Sequence, residues 1–200
     1  MYRFRAIRLA FTDLWDESLL LVVVGLFGSF LSVLLLPLPY LMGAFYGIAL
    51  RLSERRAVPW RMLWELAREH LRFFVQWVAL SGAITIILLG NIWFYLSIGA
   101  EWSRLVSWFM AGLLLTWVLP QPFVPAFYMH QEDQRLRLAL RNAAVFLVMD
   151  PFAVILLWLT LAGVAVPLAY AAWPLLGTLM PLMALISTRI VQLYIKGAEA

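Results

Sequence analysis

The residues best equipped for chemistry are two histidines and a few polar side chains set in apolar sequence. His130 stands in Met129-His130-Gln131-Glu132-Asp133, and His70 follows Glu69. Imidazole and carboxylate are common zinc donors, so His70, His130 and Glu132 form one metal set that can be drawn. Their spacing does not demand it, since no His-Glu-x-x-His pattern puts two imidazoles one helical turn apart. No metal and no cofactor is assigned. A second group surrounds a cluster of prolines: Pro120, Gln121, Pro122 and Pro125. Proline removes a backbone donor and clashes with the preceding turn, so this stretch must interrupt a helix and free carbonyls. Two readings follow. Gln121 or a neighbouring helix caps a structural kink, or the freed backbone builds a ligand site as in transporters with broken helices.

The remaining polar residues in apolar sequence are Gln76, Ser81, Thr85, Asn91, Thr116, Thr160 and Thr178. Such residues ordinarily bond neighbouring helices or their own backbone, and Asn91 is kept as a candidate functional or packing residue. No aspartate or glutamate falls inside an apolar run, which disfavours proton coupling through an intramembrane carboxylate. The chain has no Walker A motif, no G-x-S-x-G and no paired carboxylates facing a pocket. It also has no cysteine, which removes thiol catalysis and cysteine-based metal sites. The sequence reads as non-enzymatic.

The elements that hold these residues follow from composition. Of 200 residues, 64% are hydrophobic and 13% charged, against about 45–50% and about 25% in soluble domains. Four long uncharged runs stand out: Ser18–Leu50, Phe73–Ala100, Leu105–Gln131 and Pro151–Thr188. A helical crossing needs about 20 apolar residues. The expected fold is all-α, a polytopic transmembrane helix bundle, and the lipid bilayer is its first partner.

Charge sets the expected topology. Arg3, Arg5 and Arg8 form one cluster, Arg51, Arg55, Arg56, Arg61, Arg68 and Arg72 a second, and Arg135, Arg137 and Arg141 a third; Arg189 and Lys196 lie near the end. Only Arg104 lies elsewhere. The positive-inside bias puts these clusters on the cytoplasmic side, with an even number of crossings between them. Basic charge thus follows topology and gives no reason to invoke nucleic acid. Ser18–Leu50 must cross and return, bending at Pro37-Leu38-Pro39, with an uncleaved first span over Leu19–Leu36 and a short, tilted or re-entrant second arm near Tyr40–Arg55. Phe73–Leu96 leaves, Ser97–Arg104 forms an outer loop and Leu105–Tyr128 returns. Pro151–Val166 leaves again, Pro167 and Pro174 flank the last outer turn, and Leu175–Tyr194 returns. The expectation is six membrane-embedded segments with both termini cytoplasmic, in a bacterial plasma membrane. Trp93, Tyr95, Trp102, Trp108, Tyr170 and Trp173 fall near the outer face, where Trp and Tyr are enriched.

Each hairpin follows a basic amphipathic stretch, which divides one membrane domain into three units of about 1–56, 57–130 and 131–200. In the second stretch Trp60, Leu63, Trp64, Ala67, Leu71 and Phe74 share one helical side, and Arg61, Glu65, Arg68, Glu69 and Arg72 the other. That pattern predicts a helix lying at the cytoplasmic membrane surface, with Trp60, Arg61, Trp64, Arg68 and Arg72 at the interface. Gly43 and Gly47 form G-x-x-x-G, which packs within the chain or serves as a homo-oligomer face. Asp150-Pro151 reads as a helix N-cap followed by proline at the first helical position. Arg189 has no acid on its own helix; it snorkels to the inner surface or pairs with Asp16 or Asp150.

The stretches AVPWRMLWELAREHLRFFVQW, LLGNIWFY and FVPAFYMHQEDQRLRLALRNAAVFLVMDPFAVILL occur in that order. With them the chain resembles the YesL-like family of bacterial integral membrane proteins. The most specific parts are Asn91 to Tyr95, Pro125 to Gln131, Arg141-Asn142-Ala143 with Asp150-Pro151, and Ser187-Thr188-Arg189. The chain departs from the family in carrying three prolines at 120, 122 and 125. Members of that family are encoded near genes for carbohydrate uptake. The resemblance implies an accessory or assembly role beside a sugar transporter or sensor; the alternative is a small-solute transporter or channel using the broken fourth span.

Overall fold

The structure, a computed structural model, describes residues 2–16, 23, 38–56, 58–59, 62–171 and 177–198. Over these residues the helices are α1 (Tyr2–Asp16), α2 (Leu38–Ser53), α3 (Met62–Glu69), α4 (Leu71–Ile98), α5 (Glu101–Val118), α6 (Phe123–His130), α7 (Leu136–Met149), α8 (Pro151–Ala171) and α9 (Leu179–Ala198). Four stretches are long and apolar enough to cross a membrane: Leu71–Ile98, Glu101–His130, Pro151–Tyr170 and Leu179–Gly197. The protein is an all-helical membrane protein. The expected first span over Leu19–Leu36, the bend residue Pro37, the interfacial residues Trp60 and Arg61, and Trp173 and Pro174 lie outside the described residues.

The short second arm is the centre of the molecule. α2 has 16 residues, about 24 Å of helix at 1.5 Å per residue, less than the roughly 30 Å of a hydrocarbon core. Every residue from Met42 to Ala49 is buried, because α3, α4, α6 and α9 pack around it. A helix apolar on all sides needs such an enclosure. α2 closes with Arg55 in a left-handed conformation (φ 58°). The Arg56 amide bonds the Arg51 carbonyl at 2.9 Å and the Arg55 amide bonds the Leu52 carbonyl at 3.1 Å, the double bond of a Schellman cap.

Gly43 and Gly47 face α3 of the same chain. A Cβ at Gly43 would meet the Ala67 carbonyl oxygen at 3.0 Å, and one at Gly47 would meet Leu66 Cβ at 3.1 Å. The G-x-x-x-G groove is filled from within the chain by Leu66 and Ala67. This contact sets which side of α3 faces the protein. Leu66 and Ala67 are buried, while Trp64 is 58% exposed. Trp64 stacks on Tyr40 at 5.7 Å, and the Arg68 guanidinium lies 4.6 Å from its ring centre. α3 ends at Glu69, and His70 separates it from α4.

Three boundaries differ from expectation. Gly99, left-handed at φ 75°, ends α4, so the loop is Gly99-Ala100 alone. Glu101 and Arg104 start α5 as an i,i+3 pair at 3.8 Å. Pro167 lies inside α8, which continues to Ala171. α9 begins at Leu179 and runs past Tyr194 to Ala198. The α4–α5 hairpin packs on the rest of the molecule near its base, where Phe73, Phe74 and Trp77 are buried. Further along, Ile86, Trp93, Trp108 and Phe109 are exposed, as helices facing lipid are.

Candidate functional site

A buried charge is expensive and needs a partner. Two ion pairs meet this need, and both hold α1. Along α1, Arg3, Ala6, Ala10 and Asp13 are spaced three, four and three residues apart and so share a side. Ala6 and Ala10 are fully buried, and their small side chains let α1 lie close against α9.

At one end of this stripe, Asp13 meets Arg189 of α9. Arg189 Nε donates to Asp13 Oδ2 at 2.7 Å, and Nη2 lies 2.5 Å from the same oxygen. The guanidinium also closes α2. Nη1 donates to the Ser53 carbonyl at 2.9 Å and Nη2 to the Leu52 carbonyl at 2.9 Å. Nη1 also donates to Gln192 Oε1 at 3.3 Å. All five guanidinium donors therefore have acceptors, the condition for a buried arginine. Arg189 is 7% exposed, and its positive charge sits at the negative end of the α2 dipole. Of the expected partners, Asp150 pairs with Arg3 and the Asp16 side chain lies outside the described residues; Arg189 pairs with Asp13, the acid on the stripe that faces α9.

At the other end, Asp150 accepts from the Tyr2 hydroxyl and pairs with Arg3, whose Nε and Nη2 lie 3.0 and 2.8 Å from its two oxygens. Asp150 Oδ1 also accepts from the Ala153 amide at 3.2 Å, the N-cap that Asp-Pro predicts for α8. Burial pushes the Asp150 pKa up, but the hydrogen bonds from Tyr2, Arg3 and Ala153 outweigh it and hold the carboxyl below its ordinary 3.8. Burial, with the Asp150 carboxylate beside it, raises the Tyr2 hydroxyl above its usual range.

The proline break is a third polar cluster, and each carbonyl from Trp117 to Pro122 has a partner. Leu119–Pro122 form a turn between α5 and α6. The Gln121 amide N–H bonds the Val118 carbonyl at 3.1 Å in place of the Trp117 carbonyl. The Gln121 side-chain amide takes over that acceptor, donating to the Trp117 carbonyl at 3.0 Å. The Phe123 amide turns to the Pro120 carbonyl at 2.9 Å, and Trp158 Nε1 of α8 donates to the released Leu119 carbonyl at 3.1 Å. The Tyr46 hydroxyl of α2 donates to the Pro122 carbonyl at 2.7 Å. Gln121 Oε1 in turn accepts from Trp77 Nε1 at 2.9 Å and Ser81 Oγ at 2.8 Å. Three helices close the break, and Pro125 is buried within α6.

Other candidates are dispersed. Asn91 Nδ2 donates to the Ile87 carbonyl of its own helix at 2.8 Å. Arg141 is exposed, and Asn142 Nδ2 donates to Gln131 Oε1 at 3.3 Å. Arg68 and Arg72 are exposed. His70 lies edge-on to Tyr128 at 5.5 Å, and His130 Nδ1 bonds the Ala126 carbonyl at 2.8 Å. Among the described residues no group of three His, Asp or Glu could hold a metal ion. Sequence reasoning missed Tyr2, Arg3 and Asp13 as site residues, and Tyr46 and Trp158 as caps. The only local signal was the spacing of Arg3, Ala6, Ala10 and Asp13.

No family model, curated protein or solved structure matches the chain.

Proposed function

We propose that the chain is a non-enzymatic accessory or assembly protein of the bacterial cytoplasmic membrane, working beside a sugar transporter or sensor. The observation that carries this reading is the closed proline break. The backbone that a transporter with broken helices turns toward its cargo is here engaged by Gln121, Trp158 and Tyr46. This favours a structural role for the third apolar run, Leu105–Gln131, over a ligand site. The sugar-uptake assignment rests on the likeness to YesL-like proteins. The grouping of arginines in Arg3–Arg8, Arg51–Arg72 and Arg135–Arg141 supports six embedded segments with cytoplasmic termini and surface helices.

The reading is tested by purifying the tagged full chain from native membranes in mild detergent, beside transport assays on the chain alone. Recovery with a membrane component of a carbohydrate-uptake system is expected. Recovery alone, with sugar entering proteoliposomes that hold only this protein, overturns it in favour of the transporter.

A further inference from the structure

Between the first two turns of α1 and the last turn of α9 runs an open groove of about 1060 Å³. Tyr2, Phe4, Arg5 and Arg8 line it from α1, and Leu193 and Lys196 from α9. Arg5 and Arg8 are one turn apart, so their side chains rise on the same side. Arg5, Arg8 and Lys196 are all exposed. Among the described residues none of these three side chains has an ion-pair or hydrogen-bond partner. Among the described residues, the α1 carboxylate Asp13 is engaged by Arg189, and Asp150 by Arg3.

Like charges converging on one groove repel, and an anion between them removes that cost. The place says which anion. Lys196 ends a helix long and apolar enough to cross the membrane, so the groove opens where lipid headgroups lie. Its apolar lining is Phe4, 72% exposed, with Leu193. Phe11 and Trp15 continue the exposed aromatic side of α1 beyond it. A free phosphate has no use for that apolar floor, whereas a phospholipid lays its glycerol and upper acyl chain there.

We infer that this groove binds the phosphate of an acidic phospholipid between Arg5, Arg8 and Lys196, so that one lipid clasps α1 to α9. The inference stands apart from the accessory reading and needs no protein partner.

Native mass spectrometry of the full chain, titrated with phosphatidylglycerol or phosphatidylcholine, tests it. The wild type is expected to retain phosphatidylglycerol selectively, even in millimolar inorganic phosphate. The variant Arg5→Gln/Arg8→Gln/Lys196→Gln is expected to retain it about tenfold more weakly or worse, since each cation contributes separately to holding an anionic headgroup. Arg56→Gln/Arg104→Gln/Arg137→Gln removes the same charge elsewhere and is expected to retain it as the wild type does. Equal weakening in both variants overturns the site in favour of diffuse attraction. Displacement by phosphate overturns it in favour of a free anion. Should the triple variant not fold, Lys196→Gln alone gives the same reading: unchanged selectivity overturns the site, and weaker retention supports it.

Discussion

Arg189 and Asp13, 176 residues apart in sequence, form the ion pair that joins α1 to α9. The same guanidinium caps the last two carbonyls of α2. One side chain thus fixes three helices, and its geometry depends on a planar fork that lysine lacks.

Replacing Arg189 is therefore expected to be severe. Arg189→Ala leaves Asp13 without its partner and takes one donor from each of the Leu52 and Ser53 carbonyls, at a cost of about 3–5 kcal/mol. Arg189→Lys, with three donors for five contacts, is expected to fall between the two. Exchanging the charges, Asp13→Arg with Arg189→Asp, is expected not to restore stability, because an acid at 189 repels the Leu52 and Ser53 carbonyls. Thermal unfolding in detergent measures all three. Full recovery in the exchanged protein would mean that the ion pair matters and the α2 cap does not.

Asp150 gives a pH dependence of definite sign. Its folded pKa lies below 3.8, so its contribution is fully present above the unfolded value and is lost as pH falls through the folded one. The unfolding midpoint of the wild type is expected to drop below pH 3.8. Asp150→Asn is expected to flatten that acid limb and to lower stability at neutral pH by about 1 kcal/mol, through loss of the charge that pairs with Arg3, while the amide oxygen keeps the N-cap. An unchanged acid limb in the variant would assign it to another carboxyl.

Gln121 is expected to behave as a cap. Gln121→Leu leaves Trp77 Nε1, Ser81 Oγ and the Trp117 carbonyl without their partner, at about 1–3 kcal/mol in total. Trp77→Phe in that background is expected to cost less than it does alone, because its acceptor is already gone. A double-mutant cycle on unfolding free energies reads the coupling; strict additivity would remove the shared bond.

The long elements were legible because their apolar runs exceed what a soluble core helix needs. The runs behind α4, α5 with α6, and α8 announced themselves by length and lack of charge. Their ends were less legible, for local reasons. Gly99 makes a tighter turn than the polar run Ser97–Arg104 suggests, and Pro167 forfeits one hydrogen bond without ending α8. The side on which α3 packs was hidden in another helix, since the Gly43–Gly47 groove admits Leu66 and Ala67. Of the candidate site, the proline break and the Asp150 cap could be read from adjacent residues. The pairs Arg189–Asp13 and Arg3–Asp150 could not, because nothing local records which helix faces which.

The α4-to-α6 segment makes the sharpest prediction about topology. Helix α4 has 28 residues, and the return from Glu101 to His130 has 30. At 1.5 Å per residue either spans about 40 Å or more, enough for a hydrocarbon core of roughly 30 Å even with tilt. The chain has no cysteine, so single thiols can be introduced cleanly. Ser97 and Asp133 are both exposed, one at the end of α4 and one after α6. In intact cells stripped of their outer layer, a membrane-impermeant maleimide is expected to label Ser97→Cys. It is expected to label Asp133→Cys only after lysis, since the Arg135–Arg141 cluster holds that loop inside. Labelling of both from outside would mean that the break at Pro120–Pro122 turns the chain back on itself instead of kinking a continuous crossing.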